Sequence, residues 1–235
     1  MAGQLIVRRS VGLERLSSNN EIAGFKFATV GVIYAVLVAF AVIVVWEKFN
    51  EAQLAVEQEA GASATLYRLT VGPDPKMKAV KDALTNYLKL AIDKDWPLMA
   101  VQKESHEVSE GLSALYAAIL RLTEGEARPS ALLNEMFKLA DEITHARRTR
   151  LHLATGVVPA VIWVVVFSGA ILTVAFAFFF GTANFRAQML MTGFLSVLIF
   201  TSVFAIVEIN YPFTGPSYVA SEPLKTVIDE FSRRE

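Results

Sequence analysis

The sequence predicts an all-α, multi-span membrane protein with three transmembrane helices and a helical extramembranous domain between spans 1 and 2. Three observations predict it. Three long runs carry no charge: Phe27 to Trp46, Gly156 to Phe180 and Ala187 to Val207. Between the first two, apolar residues recur at helical spacing among charged ones. In that stretch no strand-like alternation of apolar and polar residues occurs. Hydrophobic residues make up 54% of the 235, with a mean hydropathy of +0.43, a modest excess that these runs account for.

Residues 1–26 are mixed, with Arg8, Arg9, Arg15 and Lys26. A signal peptide needs a shorter apolar region and a small-residue cleavage site, and the run after Lys26 has neither. Ser18 and Glu21 have capping-box spacing, which predicts that the first helix begins just ahead of the membrane. The 20 residues of 27–46 make a helix about 30 Å long, matched to a bilayer core, and no polar face interrupts them. Along it Gly24, Ala28, Gly31, Ala35 and Ala39 recur at spacings of 4, 3, 4 and 4, a small-residue stripe of the kind that lets helices pack closely in lipid. In an oligomer the same stripe can face an axial pore. Trp46 suits an interfacial aromatic belt.

Past Trp46 nothing breaks the helix until Gly72-Pro73-Asp74-Pro75, so one long helix is predicted to leave the membrane, with Leu54, Ala55, Gly61, Ala62 and Leu66 toward its neighbours. Met77, Val80, Leu84, Tyr87, Leu88 and Ala91 mark the inner face of a helix over 76–94. Asp95-Trp96-Pro97 is read as the start of the next helix, whose later turns carry Leu112, Leu115, Tyr116, Ile119 and Leu120. Gly125 to Ser130 reads as a loop, with Ser130 capping a helix that carries Leu132, Leu133, Met136, Phe137, Ala140 and Ile143. Residues 47–150 thus form an extramembranous domain of about four helices. Spans 156–180 and 187–207 are too close in sequence to be anything but an antiparallel hairpin. The tail, 208–235, holds Pro212, Pro216 and Pro223 and a short polar helix from about Leu224.

Little in the chain points to chemistry. The absence of cysteine excludes disulfides, thiolate metal sites and cysteine nucleophiles. A net charge of -1 gives no support to a nucleic-acid partner. No nucleotide-binding glycine motif or nucleophile elbow occurs, so no enzyme activity and no cofactor is expected. Glu142 and His145 have the spacing of two metal ligands, but di-metal bundles need a second copy and further glutamates. A solvated helix face is the better reading, as it is for His106. No ionisable residue lies within a span, which argues against a carboxylate proton relay. Glu208 is read as an interfacial anchor rather than a gate, and the Phe176 to Phe180 cluster as a belt or lipid face, with a hydrophobic constriction as the sharper alternative. Arg147, Arg148 and Arg150 are taken as a topology signal. Lys and Arg near the span ends number five on one side and six on the other, so flanking charge does not set the orientation.

Asn20-Glu-Ile-Ala-Gly-Phe25, Gly31-Val-Ile-Tyr-Ala-Val36, Val45-Trp-Glu47, Glu59-Ala60, Leu66-Tyr67-Arg68 and Tyr211-Pro-Phe-Thr-Gly215 together resemble the bacterial bestrophin-like domain family. The likeness runs from about Asn20 to Pro223. Members usually carry a further hydrophobic span ahead of the Asn-Glu-x-Ala-Gly segment, of which Leu5-Ile6-Val7, before Arg8-Arg9, is at most a remnant here. Bestrophins proper are similar in plan, with paired spans around a helical cytosolic domain and a pentameric anion channel. Their pore-neck and calcium-site motifs do not match here, so none of those residues is carried over. The resemblance implies a homo-oligomer in a bacterial inner membrane, with residues 47–150 and the C-terminus cytoplasmic. Span 1 would lie nearest the axis, and Gly31, Ala35, Val38 and Val42, at spacings of 4, 3 and 4, would line the pore. The competing reading is a non-conducting membrane adaptor whose domain over 47–150 binds a protein partner.

Overall fold

The computed structural model describes residues 2–124, 129–156 and 158–233. The loop expected at Gly125 lies in part outside them. Every regular element among the described residues is a helix. The chain divides into two compact units, one of residues 1–46 and 158–210, the other of 47–157 and 211–235.

Among the described residues three helices are long and apolar enough to cross a membrane: Ala160–Ala177, Phe185–Ile209 and helix α3, Asn20–Leu69, which is shared by both units. The 50 residues of α3 include no proline, so the backbone ladder has no break before Gly72-Pro73. Two short helices precede it: α1, Ala2–Val11, and α2, Leu13–Ser18. The capping box expected at Ser18 and Glu21 does not form. Ser18 instead donates back to the Arg15 carbonyl at 3.0 Å, closing α2, and α3 begins two residues later.

In the first unit α8, Ala160–Ala177, and α9, Phe185–Ile209, form the predicted hairpin. Asn184 caps α9 by accepting from the Ala187 amide at 3.1 Å. The core joins Tyr34, Ala41 and Val45 of α3 to Val166, Ile199, Val203 and Ile206. Gly169 permits the approach of α8: a Cβ there would lie 2.5 Å from the Tyr34 ring. Tyr34 in turn donates to the Val166 carbonyl at 3.3 Å. The Asn20 side chain spans the Gly181 peptide, giving to its carbonyl at 2.6 Å and accepting from its amide at 2.9 Å. This gives the Asn20 of the family-like segment a structural task, locking the start of α3 to the hairpin turn.

In the second unit α4, Pro75–Leu90, is capped by Asp74, which accepts from the Lys76 amide at 2.8 Å. All six residues expected on its inner face, Met77 to Ala91, are buried. The helix start expected at Asp95-Trp96-Pro97 is there, with Pro97 in the first turn, but the helix it opens is a single turn and no break precedes it. The chain passes from α4 through a π-turn, Ala91–Asp95, directly into α5, Trp96–Met99. Pro97 has no amide to place in a helical ladder, and a widened turn ahead of it absorbs the mismatch. The next helix, α6, starts only at His106 and runs to Leu120. Ser130 likewise makes no capping bond; it is the first residue of α7, Ser130–Ala154, behind Pro129. Leu54 and Leu120, assigned inward by spacing, are 52% and 58% exposed.

The tail returns to this unit. Helix α10, Glu222–Arg233, buries Leu224, Val227 and Phe231, and Phe231 stacks on Tyr67 with centroids 3.6 Å apart. Phe213, from the Tyr211–Gly215 segment, meets Trp96 edge-on, and Trp96 donates to the Val219 carbonyl at 3.1 Å.

Candidate functional site

Two arrangements stand out, one in each unit. The first is the lining of α3 within the apolar span. Its core-facing side is Tyr34, Ala41 and Val45. The small-residue stripe lies about a quarter-turn away, at roughly 100° per residue. Ala28, Ala35 and Ala39 are exposed on it, Gly24 and Gly31 are half-buried, and a Cβ on Gly31 would meet nothing within 4 Å. Of the four residues expected along a pore, Val42 and Ala35 are exposed and Gly31 half-buried, whereas Val38 sits at the edge of the core and packs partly against it. Next to the stripe, on the side away from the core, the exposed residues turn large: Phe25, Val32, Val36 and Ile43. The close approach of α8 to α3 uses Gly169 of α8, not the stripe on α3.

The second arrangement is a buried ionic cluster. Arg150 on α7 gives two hydrogen bonds to Glu59 on α3, Nε to Oε2 at 2.9 Å and Nη2 to Oε1 at 3.1 Å. Arg147, one turn earlier, pairs with Asp95 at the end of the π-turn, Nε to Oδ2 at 2.8 Å and Nη2 to Oδ1 at 3.3 Å. Arg150 also reaches Asp95 Oδ2 at 3.4 Å. Two cations and two carboxylates make a neutral set, which is how buried charge is tolerated. Tyr87 donates to Glu59 Oε1 at 2.6 Å, and Trp96 lies under the Arg150 guanidinium, 4.3 Å from it. Burial pushes the Tyr87 phenol well above its ordinary range; the Glu59 charge adds to this and that of Arg150 opposes it. Burial alone would lower Arg150, but Glu59, Tyr87 and Asp95 outweigh it and hold the guanidinium above its ordinary value.

This cluster corrects the reading of Arg147 and Arg150 as flanking topology charges. Both are buried, while Arg148 between them is exposed. The remaining sequence candidates stay apart. Glu142 and His145 are exposed, Glu142 within 3.8 Å of Lys138, and His106 pairs with Glu110 at 3.3 Å. Among the described residues no group of three or more acidic or histidine side chains is placed to hold a metal. The Phe176 and Phe180 rings pack on Phe27, 5.9 and 5.5 Å between centroids, while Phe179 is half-exposed. Glu208 is half-buried at the end of α9, and its Oε1 has no hydrogen-bond partner among the described residues.

These features belong to a helical membrane protein whose neighbours in structure are bacterial. The profile of the bestrophin-like domain matches residues 1–224, and the chain belongs to that family. A bacterial bestrophin homologue from Klebsiella pneumoniae, crystallised as a point variant, superposes with a TM-score of 0.73 at 17% identity, covering 99% of this chain and 94% of that one. Another variant of the homologue gives 0.69 at 18% identity, covering 88% and 84%. A structure described as a membrane protein gives 0.71 at 17% identity, covering 99% and 93%. At this identity the likeness establishes the fold. Among curated proteins none matches the chain.

Proposed function

We propose that the chain is one subunit of a homo-oligomeric ion channel in a bacterial cell membrane, passing anions, with α3 nearest the axis. The observation that carries this reading is the uncovered small-residue face of α3, beside a separate face already committed to α8 and α9. Small side chains leave room along an axis, and the absence of charge within the span suits passive permeation through an apolar neck. Gly31, Ala35 and Val42 would line it, with Val38 at the margin. Residues 47–150 and the C-terminus would be cytoplasmic and would gate the pore through α3, which belongs to both units.

Native mass spectrometry of the detergent-purified protein, followed by flux in liposomes, tests this. A closed ring of four or more copies with anion flux is the expected result. A monomer or dimer persisting in gentle detergent and in nanodiscs, without flux, overturns it.

A further inference from the structure

A cavity of 360 Å³ lies in the second unit between α6 and α7, lined among others by Glu104, Ser109, Tyr116, Arg147 and Arg148. Its inner wall is unusual in holding a buried guanidinium. Asp95 fixes Arg147 through Nε and Nη2, Nη2 also gives to the Ser105 carbonyl at 3.2 Å, and Nη1 gives to Ser109 Oγ at 3.1 Å. A guanidinium carries five N–H groups. Those four bonds leave one free, on Nη1, the nitrogen bonded to the cavity-lining Ser109. Arg148 is exposed at the same cavity and makes no hydrogen bond or ion pair among the described residues, so its whole fork is available. Glu104 provides the one opposing charge in the lining.

The rim extends further. A neighbouring cavity of 460 Å³ shares Glu104 and Leu151 and adds Lys103 and Gln102. Gln102 has a φ of 59°, a left-handed conformation uncommon for a residue with a side chain.

We propose that this cavity binds a small oxyanion, a carboxylate or phosphoryl group, gripped by Arg147 Nη1 and by the Arg148 fork. Asp95 pre-orients Arg147, so little freedom is lost on binding, and an arginine fork can pair with two oxygens of such a group. Glu104 opposes the ligand and weakens its affinity. Nothing in this site depends on α3 lining a pore.

The test uses the full-length protein in detergent. Its thermal midpoint is followed against rising sodium phosphate or sodium succinate, with sodium chloride at equal ionic strength as the reference. A ligand of the folded state raises the midpoint saturably. The expected result is a saturable rise with phosphate, succinate or both beyond chloride, with Arg148→Gln weakening the apparent affinity about tenfold and Glu104→Gln tightening it. Both side chains are exposed, so neither change threatens folding. Response to phosphate alone identifies a phosphoryl ligand, and to succinate alone a carboxylate. No saturable rise with either anion, or a rise that both variants leave unchanged, overturns the proposal.

Discussion

Arg150 and Glu59 form a two-bond ion pair in which both side chains are completely buried. It ties α7 to the part of α3 that lies in the second unit, 91 residues apart in sequence. Removing one partner leaves an unpaired charge in a fully buried site. Arg150→Met is therefore expected to destabilise this unit by about 3–5 kcal/mol. Glu59→Leu combined with Arg150→Met should cost less than the sum of the single changes by about 1 kcal/mol or more. Denaturant midpoints of the four proteins measure this, and additive costs would show the pair to be uncoupled.

Tyr87 gives the same cluster a dependence on alkaline pH. Its folded-state pKa is raised above the ordinary value of 10.0, chiefly by burial and then by Glu59. The folded protein thus holds the proton more tightly than the unfolded chain. The stabilisation is fully present below about pH 10 and is lost as the pH rises above it. Tyr87→Phe should flatten this alkaline loss and, by taking a donor from buried Glu59, cost about 1–3 kcal/mol near neutral pH. Unfolding followed from neutral to strongly alkaline buffer checks both; an unchanged alkaline slope in the variant would remove Tyr87 as its source.

Gly169 makes room for Tyr34 in the first unit. A Cβ at 169 would stand 2.5 Å from Tyr34 Cδ2 and 2.7 Å from Cε2, ring atoms held by the bond to the Val166 carbonyl. Gly169→Ala is expected to cost about 1–3 kcal/mol through overpacking. Adding Tyr34→Leu should recover part of it, since the clashing ring is gone. Thermal midpoints in detergent measure the effect, and a neutral Gly169→Ala would mean that α8 can shift freely.

The spans, the hairpin and the inner face of α4 were legible because each is a periodic pattern long enough to dominate its neighbours. The cluster was hidden by the chemistry of its residues. The buried positions on α7 include Met136, Ala140, Ile143, Arg147, Arg150 and Ala154, an inward stripe at steps of three and four that does not stop where the arginines begin. Glu59 continues the stripe of Ala52, Val56, Ser63 and Leu66 on α3 in the same way. Charge normally marks the wet face, and the position of these residues on the dry one was the available signal. Asp95 carries the same signal, four residues beyond Ala91 on the inner stripe of Met77 to Ala91, but its place ahead of Trp96-Pro97 reads as a helix cap. The second small-residue site escaped for a different reason: a lone Gly169 has no repeat to mark it, whereas the stripe on α3 does.

That stripe supplies the remaining prediction. The chain has no native cysteine, so single cysteines can be introduced without background. Ala35 lies on the uncovered small face, and Ile33, 57% exposed, lies about 160° around the helix at roughly 100° per residue. With α3 lining a pore, Ala35→Cys should react with a charged, water-soluble thiol reagent and lose flux as it does so, while Ile33→Cys, turned toward lipid, stays unmodified. Ala35→Phe should reduce flux severalfold in assembled protein, because an aromatic ring at each copy narrows an apolar neck and makes it easier to dewet. Flux in liposomes, with assembly checked by native mass spectrometry, measures this. Unchanged flux in fully assembled Ala35→Phe, together with an inert Ala35→Cys, would remove this face from the permeation path.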